Sequence, residues 1–143
     1  MKERTHILFS VAMSVTVIAA VVIGVRIVGS PETARLQRFD QQRLADLQTI
    51  FREVQSLCRD AEAKDKLKRV LPATLDELAT LARMEKINGA DPETGLTYVY
   101  RVVNDTTYEL CATFSLDRDS DRNVFWNHPD GKHCFTINVL DPP

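Results

Sequence analysis

Cys58, Cys111 and Cys134 are the residues of this 143-residue chain whose chemistry depends most on where the fold puts them. Around Cys111 the apolar residues Tyr108, Leu110, Ala112 and Phe114 keep one phase of a period-two pattern, so Cys111 points to the other face. Phe135 and Ile137 set the same phase for the last strand, so Cys134 also faces away from the core. If the two strands are neighbours, the thiols meet as a cross-strand disulfide. Closing a loop of about two dozen residues, such a bond would stabilise by roughly 3–3.5 kcal/mol in the chain-entropy account. Cys58 instead falls on the apolar stripe of a helix and reads as a small buried hydrophobe. The alternative is three reduced thiols in a cytosolic domain.

Asp117, Asp119, Asp121 and Asn123 place oxygen-bearing side chains at alternate positions, the spacing by which a loop wraps calcium. The full twelve-residue loop is absent: Arg122 stands where the sharp-turn glycine belongs and His128 where the bidentate glutamate belongs. Two arginines in the loop also oppose a cation, so a solvated acidic loop is the plainer reading. Calcium is the one cofactor expectation the chain offers. His128, His133 and Cys134 are zinc-ligand types, but Pro129-Asp130-Gly131 reads as a turn and Cys134 already has a use. No nucleophile sits in a local catalytic signature and no glycine-rich phosphate loop occurs, so the reading is of a non-enzyme. Trp126, beside Phe125 in the polar loop, reads as a plug of local core, with a binding anchor for a partner as the alternative. The formal net charge of −2 and the lack of a basic face point away from a nucleic-acid partner.

These residues need elements to position them. From Ile7 to Val25 no residue is charged, a length that suits a helix crossing the ~30 Å hydrocarbon layer. A cleaved signal peptide competes, given Lys2 and Arg4, but the apolar run is long and Val28-Gly29-Ser30 is followed by Pro31. The anchor reading makes the lipid bilayer a partner. Within it Ala12, Thr16, Ala20 and Gly24 recur every four residues, a ridge of small side chains that would let a helix of another membrane-protein subunit approach. Ser30-Pro31-Glu32 reads as a helix start, and Leu44, Leu47, Phe51, Val54, Cys58 and Ala61 form a stripe down a helix of roughly ten turns closed by Pro72. Thr74-Leu75-Asp76-Glu77 is a capping box opening a short helix with Leu75, Leu78, Leu81 and Met84, ended by Asn88-Gly89. After the turn Asp91-Pro92-Glu93-Thr94-Gly95, period two takes over in three strands. The fold class is α+β: a transmembrane helix, a long amphipathic helix, a short helix, and a three-stranded antiparallel sheet packed on the long helix. The expected divisions are residues 1–6 as a tail, 7–28 as the anchor, 29–43 as a stalk and 44–143 as the domain.

Leu71-Pro72-Ala73-Thr74-Leu75-Asp76-Glu77-Leu78 and the segment Asp91-Pro92-Glu93-Thr94-Gly95-Leu96-Thr97-Tyr98-Val99-Tyr100, in this order of elements, resemble type IV pilin-like proteins and the pseudopilins of type II secretion. The resemblance implies a pilin-like domain outside the cytoplasm, and puts Asp117–Asn123 where major pseudopilins hold calcium. Met1-Lys2-Glu3-Arg4-Thr5-His6-Ile7 departs from the basic leader ending in Gly, and no acid interrupts Ile7–Val25, so the expectation is a fold kept on its anchor. Charge does not set the orientation: Lys2 and Arg4 precede the anchor, whereas Arg26, Arg35, Arg38 and Arg43 follow it. The cysteines and the resemblance place the domain in the periplasm, on a bacterial cytoplasmic membrane. The expected function is an accessory structural or interaction subunit of a larger assembly, whether secretory, respiratory or photosynthetic. A filament-forming pseudopilin and a calcium- or ligand-binding sensor are the alternatives.

Overall fold

An apolar run without charge can satisfy its backbone in an apolar medium by coiling, and this one does. The computed structural model describes residues 2–28, 30–60, 62, 66–83, 86–122 and 124–143. The chain divides into two units, residues 1–35 and 36–143. The first is built on helix α1 (Lys2–Val28). Its stretch His6–Gly24, 19 residues rising about 28 Å, is long and apolar enough to cross a membrane. The hydroxyls of Ser14 and Thr16 donate to the carbonyls of Ser10 and Ala12 at 2.9 Å, so neither needs water.

Helix α2 (Pro31–Cys58) starts where Ser30 Oγ accepts the Thr33 amide at 3.2 Å, with Pro31 in the first turn. Leu44, Leu47, Ile50, Val54, Leu57 and Cys58 are buried along one face, and Phe51 is half-buried beside them. The helix has 28 residues, shorter than the ten turns expected. The segment beyond it, 59–69, is mostly charged and loses the stripe, and the chain doubles back. The Lys68 amide donates to the Cys58 carbonyl at 2.7 Å, and Arg59 pairs with Leu67. Ala61, expected on the stripe, lies outside the described residues.

Helix α3 (Leu75–Leu81) has Thr74 as N-cap, its Oγ1 accepting the Glu77 amide at 3.1 Å. Glu77 Oε2 reaches back to the Ala73 amide at 2.7 Å, one residue ahead of the amide a capping box closes on. The helix stops at Leu81 rather than at Asn88-Gly89. Glu53, on α2, accepts the Arg83 amide at 3.2 Å and draws the chain out of the helix. Met84 lies outside the described residues.

Strands β1 (Val99–Val102), β2 (Thr107–Phe114) and β3 (Gly131–Asn138) form an antiparallel sheet in the order β1-β2-β3. Asn104 shapes the first turn, its Oδ1 accepting the Thr106 amide at 3.0 Å. Tyr108, Leu110, Ala112 and Phe114 of β2 and Phe135 and Ile137 of β3 join the buried residues of α2 and α3 in one core. The α+β layout expected from periodicity is the observed one. Trp126, in a short 3-10 turn (Val124–Trp126), is buried against Phe51, Phe125 and Phe135 at ring-centroid distances of 6.0, 5.0 and 4.8 Å. It is a plug of the core.

Candidate functional site

The most unusual chemistry in the domain surrounds Arg43, one turn above Leu47 on the face α2 buries. Its Nε and Nη2 donate to the two carboxylate oxygens of Asp91 at 2.5 and 3.2 Å. Nη1 donates to Asp40 at 2.8 Å and to Ser115 Oγ at 3.0 Å, and Nη2 also reaches Glu93 at 2.7 Å. A guanidinium has five N–H donors, and these contacts use all of them. Asp40 is occupied too, accepting the amides of Ser115 and Leu116 at 2.9 Å each. Burial works against the charge on Arg43, yet the bonds to Asp91, Asp40 and Glu93 outweigh it and raise its pKa. For Asp91 burial pushes upward, but Arg43 and the amides of Thr94 and Glu93 pull its pKa down to about 2.

Asp91 holds a turn as well as an ion pair. Its Oδ1 accepts the amides of Glu93 and Thr94 at 2.9 and 2.8 Å, and its carbonyl accepts that of Gly95 at 2.9 Å. Gly95 sits at φ +71, a conformation that residues with a Cβ rarely adopt. The network thus ties α2, this turn and the end of β2 together, with no donor of Arg43 left for a ligand. It also moves a boundary. Asp40 and Arg43 fall within the stalk expected over 29–43, yet they are buried at 8% and 3% exposure, so the domain engages α2 before residue 44. The available signal was their phase, since 40, 43, 47, 50 and 54 continue the apolar stripe with charged side chains.

A groove of about 410 Å³ lies beside this network, lined by Gln37, Asp40, Gln41 and Leu44 of α2, the loop 116–120 and His128. The acidic loop is closed by hydrogen bonds. Arg118 and His128 exchange backbone bonds at 2.8 and 3.2 Å, and Asn127 Oδ1 accepts the Ser120 amide at 2.9 Å. Asn127 Nδ2 donates to Asp119 Oδ1 at 3.3 Å. Asp117, Asp119 and Asp121 are exposed, and no three His, Cys, Asp or Glu side chains converge on a metal-sized point among the described residues. Asp117, Asp119 and Asp121, three of the expected calcium ligands, form no such cluster among the described residues, and the fourth, Asn123, lies outside them. His128 is buried, stacked on Phe114 at 3.5 Å between centroids, with Nδ1 3.1 Å from the Pro129 carbonyl. Burial lowers its pKa, working against the charged ring.

Cys111 and Cys134 stand opposite each other in the β2–β3 register and are bonded, with an S–S distance of 2.10 Å. Neither belongs to the core cluster, in keeping with their phase. Cys58 is a free, buried thiol, and burial raises its pKa. Ala12, Thr16, Ala20 and Gly24 lie on one face of α1, all exposed, with the Thr16 hydroxyl bonded to the Ala12 carbonyl. A Cβ added at Gly24 would meet nothing within 4 Å. Comparison with family models, with curated proteins and with solved structures finds no match.

Proposed function

We propose that this chain is a membrane-anchored structural or interaction subunit, holding its α+β domain outside the cytoplasm as an accessory part of a larger membrane assembly. The observation that carries the reading is a cross-strand disulfide in the same chain as a helix of membrane-spanning length. Disulfides persist in oxidising compartments and are rare in the cytosol, so the bond favours a domain exported behind its anchor. The Arg43 network supports a scaffold role, since its polar groups are spent on one another and hold three segments of the domain in place. The order of elements supports a pilin-like domain kept on its anchor.

The test is purification from the native membrane in a mild detergent, after whole cells have been alkylated to trap thiols. The expected result is a fixed stoichiometry with other membrane subunits, with Cys58 alone modified once the chain is denatured. A chain recovered free of partners, or alkylated at all three cysteines, would overturn the proposal. Association only with filaments on which secretion depends would move it to the pseudopilin class.

A further inference from the structure

The segment after α3 carries Asn88-Gly89, which neither the ionic network nor the core explains. Asn88 is exposed, in a stretch without regular hydrogen-bonded structure. Its Nδ2 donates to Asp46 Oδ2 at 3.0 Å, and the same oxygen accepts the Tyr98 hydroxyl at 2.9 Å. The Gly89 amide donates to no acceptor among the described residues, while its carbonyl accepts the Tyr98 amide at 2.8 Å. An amide nitrogen without an acceptor among the described residues, on a glycine that follows an exposed asparagine, has the chemistry of an intramolecular nucleophile.

We propose that Asn88 is a self-modification site, converting through a succinimide to aspartate and isoaspartate and thereby unfastening residues 86–90 from α2. The Gly89 nitrogen loses its proton and attacks Asn88 Cγ. Ammonia leaves with the side-chain nitrogen, and a five-membered imide remains. Water then opens the ring, at the former side-chain carbonyl to give an ordinary aspartate or at the main-chain carbonyl to give an isoaspartate. Asparagine and water become the acid and ammonia, with no oxidant or cofactor. The product loses the donor to Asp46 and sets a second carboxylate against it. Burial already raises the pKa of Asp46, so a second charge beside it is opposed. The isoaspartate product also lengthens the main chain by one carbon, next to the Ala90–Thr97 bridge.

The other described asparagines differ in ways that matter. Asn88 Oδ1 accepts the Ala90 amide at 3.5 Å and Asn104 Oδ1 that of Thr106 at 3.0 Å, so the two side chains are held alike and what separates them is the residue that follows, Gly89 against Asp105. Asn127, bonded like Asn88 through both side-chain ends, precedes the buried His128, and Asn138 precedes the buried Val139. None of the three is followed by glycine. Gly89 itself offers a clean variant: it is not at positive φ, and an added Cβ would meet only Leu75 Cδ1 at 3.8 Å, ordinary contact. Gly89→Ala therefore keeps the fold and the Asn88–Asp46 bond while hindering ring closure.

The experiment ages the full-length chain in detergent at mildly alkaline pH and maps its peptides by mass and by isoaspartate content. Asn88 should gain the mass of amide-to-acid conversion, with isoaspartate among the products, while Asn104, Asn127 and Asn138 stay intact. Gly89→Ala should lower the modified fraction severalfold without lowering the unfolding midpoint, since alanine at a compatible backbone position does not destabilise. Hydrogen exchange at the Tyr98 amide should quicken in aged chain and in Asn88→Asp, but not in aged Gly89→Ala. Three results would overturn the proposal: Asn88 as durable as Asn138, Gly89→Ala ageing like the wild type, or a folded chain fully protected where the denatured one reacts. None bears on where the domain lies, so the reading of function stands or falls separately.

Discussion

Replacing Arg43 by Met would leave Asp40, Asp91 and Glu93 facing one another without their shared cation. Removing one partner of a buried ion pair costs about 3–5 kcal/mol, because the remaining charges stay desolvated. Urea unfolding of the domain should show a loss in that range for Arg43→Met, and a loss under ~1 kcal/mol would mean that solvent reaches the site. Asp91 adds a pH signature. Its folded pKa of about 2 lies below its ordinary 3.8, so its contribution is present above the ordinary value and lost as pH falls through about 2. That contribution is on the order of 2 kcal/mol. Stability of the wild type should therefore decline over this acid window, and Asp91→Asn should decline less steeply there. Urea midpoints taken across the window decide it, and equal slopes would remove Asp91 as the group responsible. The turn was legible in Asp91-Pro92-Glu93-Thr94-Gly95, but the ion pair was not. A turn signature is local, whereas Arg43 is 48 residues away, and only charges sitting in the phase of an apolar stripe hinted that they were buried.

Strands were the most legible elements, because period two assigns a face to each residue and a short turn fixes the register that follows. Asn104 supplies that turn between β1 and β2, and the pairing of β2 with β3 sets Cys111 opposite Cys134. Helix ends were less legible. α2 stops when its stripe meets the charged segment 59–69, and α3 stops because Glu53 takes the Arg83 amide from across the domain. Neither event has a local signature as clear as a cap. The disulfide gives the element scale its prediction. With its ends 23 positions apart in the sequence, breaking it frees the unfolded chain and should cost about 3 kcal/mol. The double variant Cys111→Ser/Cys134→Ser should therefore unfold at a lower urea midpoint, and reductant should shift the wild type but not the variant. If reductant leaves the wild type unmoved, the β2–β3 pairing holds itself and the bond is energetically idle.

At the scale of the whole chain, a helix of membrane-spanning length makes the proposed anchor testable through the side on which the domain would lie. Counting basic residues on either side of α1 mildly opposes export, with Arg26, Arg35, Arg38 and Arg43 after the apolar run against Lys2 and Arg4 before it. The fold weakens that count. Arg43 belongs to the domain, buried with Asp40, Asp91 and Glu93, rather than to a short flanking loop, and long loops and domains translocate largely regardless of charge. Arg35 and Arg38 are then the residues after α1 that pull hardest toward the cytoplasm, within two turns of the start of α2. If the disulfide reports an oxidising compartment, the amino-terminal pair must outweigh them. Trypsin added to intact spheroplasts should cut the domain, since Lys66, Lys68 and Arg69 are exposed in the segment that follows α2. Arg35→Gln/Arg38→Gln should leave that cleavage complete, because it removes charges that oppose the orientation. Lys2→Gln/Arg4→Gln should protect a fraction of the molecules, because it removes the charges that hold the amino end inside in the proposed orientation. The protected fraction should carry reduced Cys111 and Cys134, which ties topology to redox state in one sample. Complete protection of the wild type until lysis, with its cysteines reduced, would place the domain in the cytoplasm and take the exported scaffold with it.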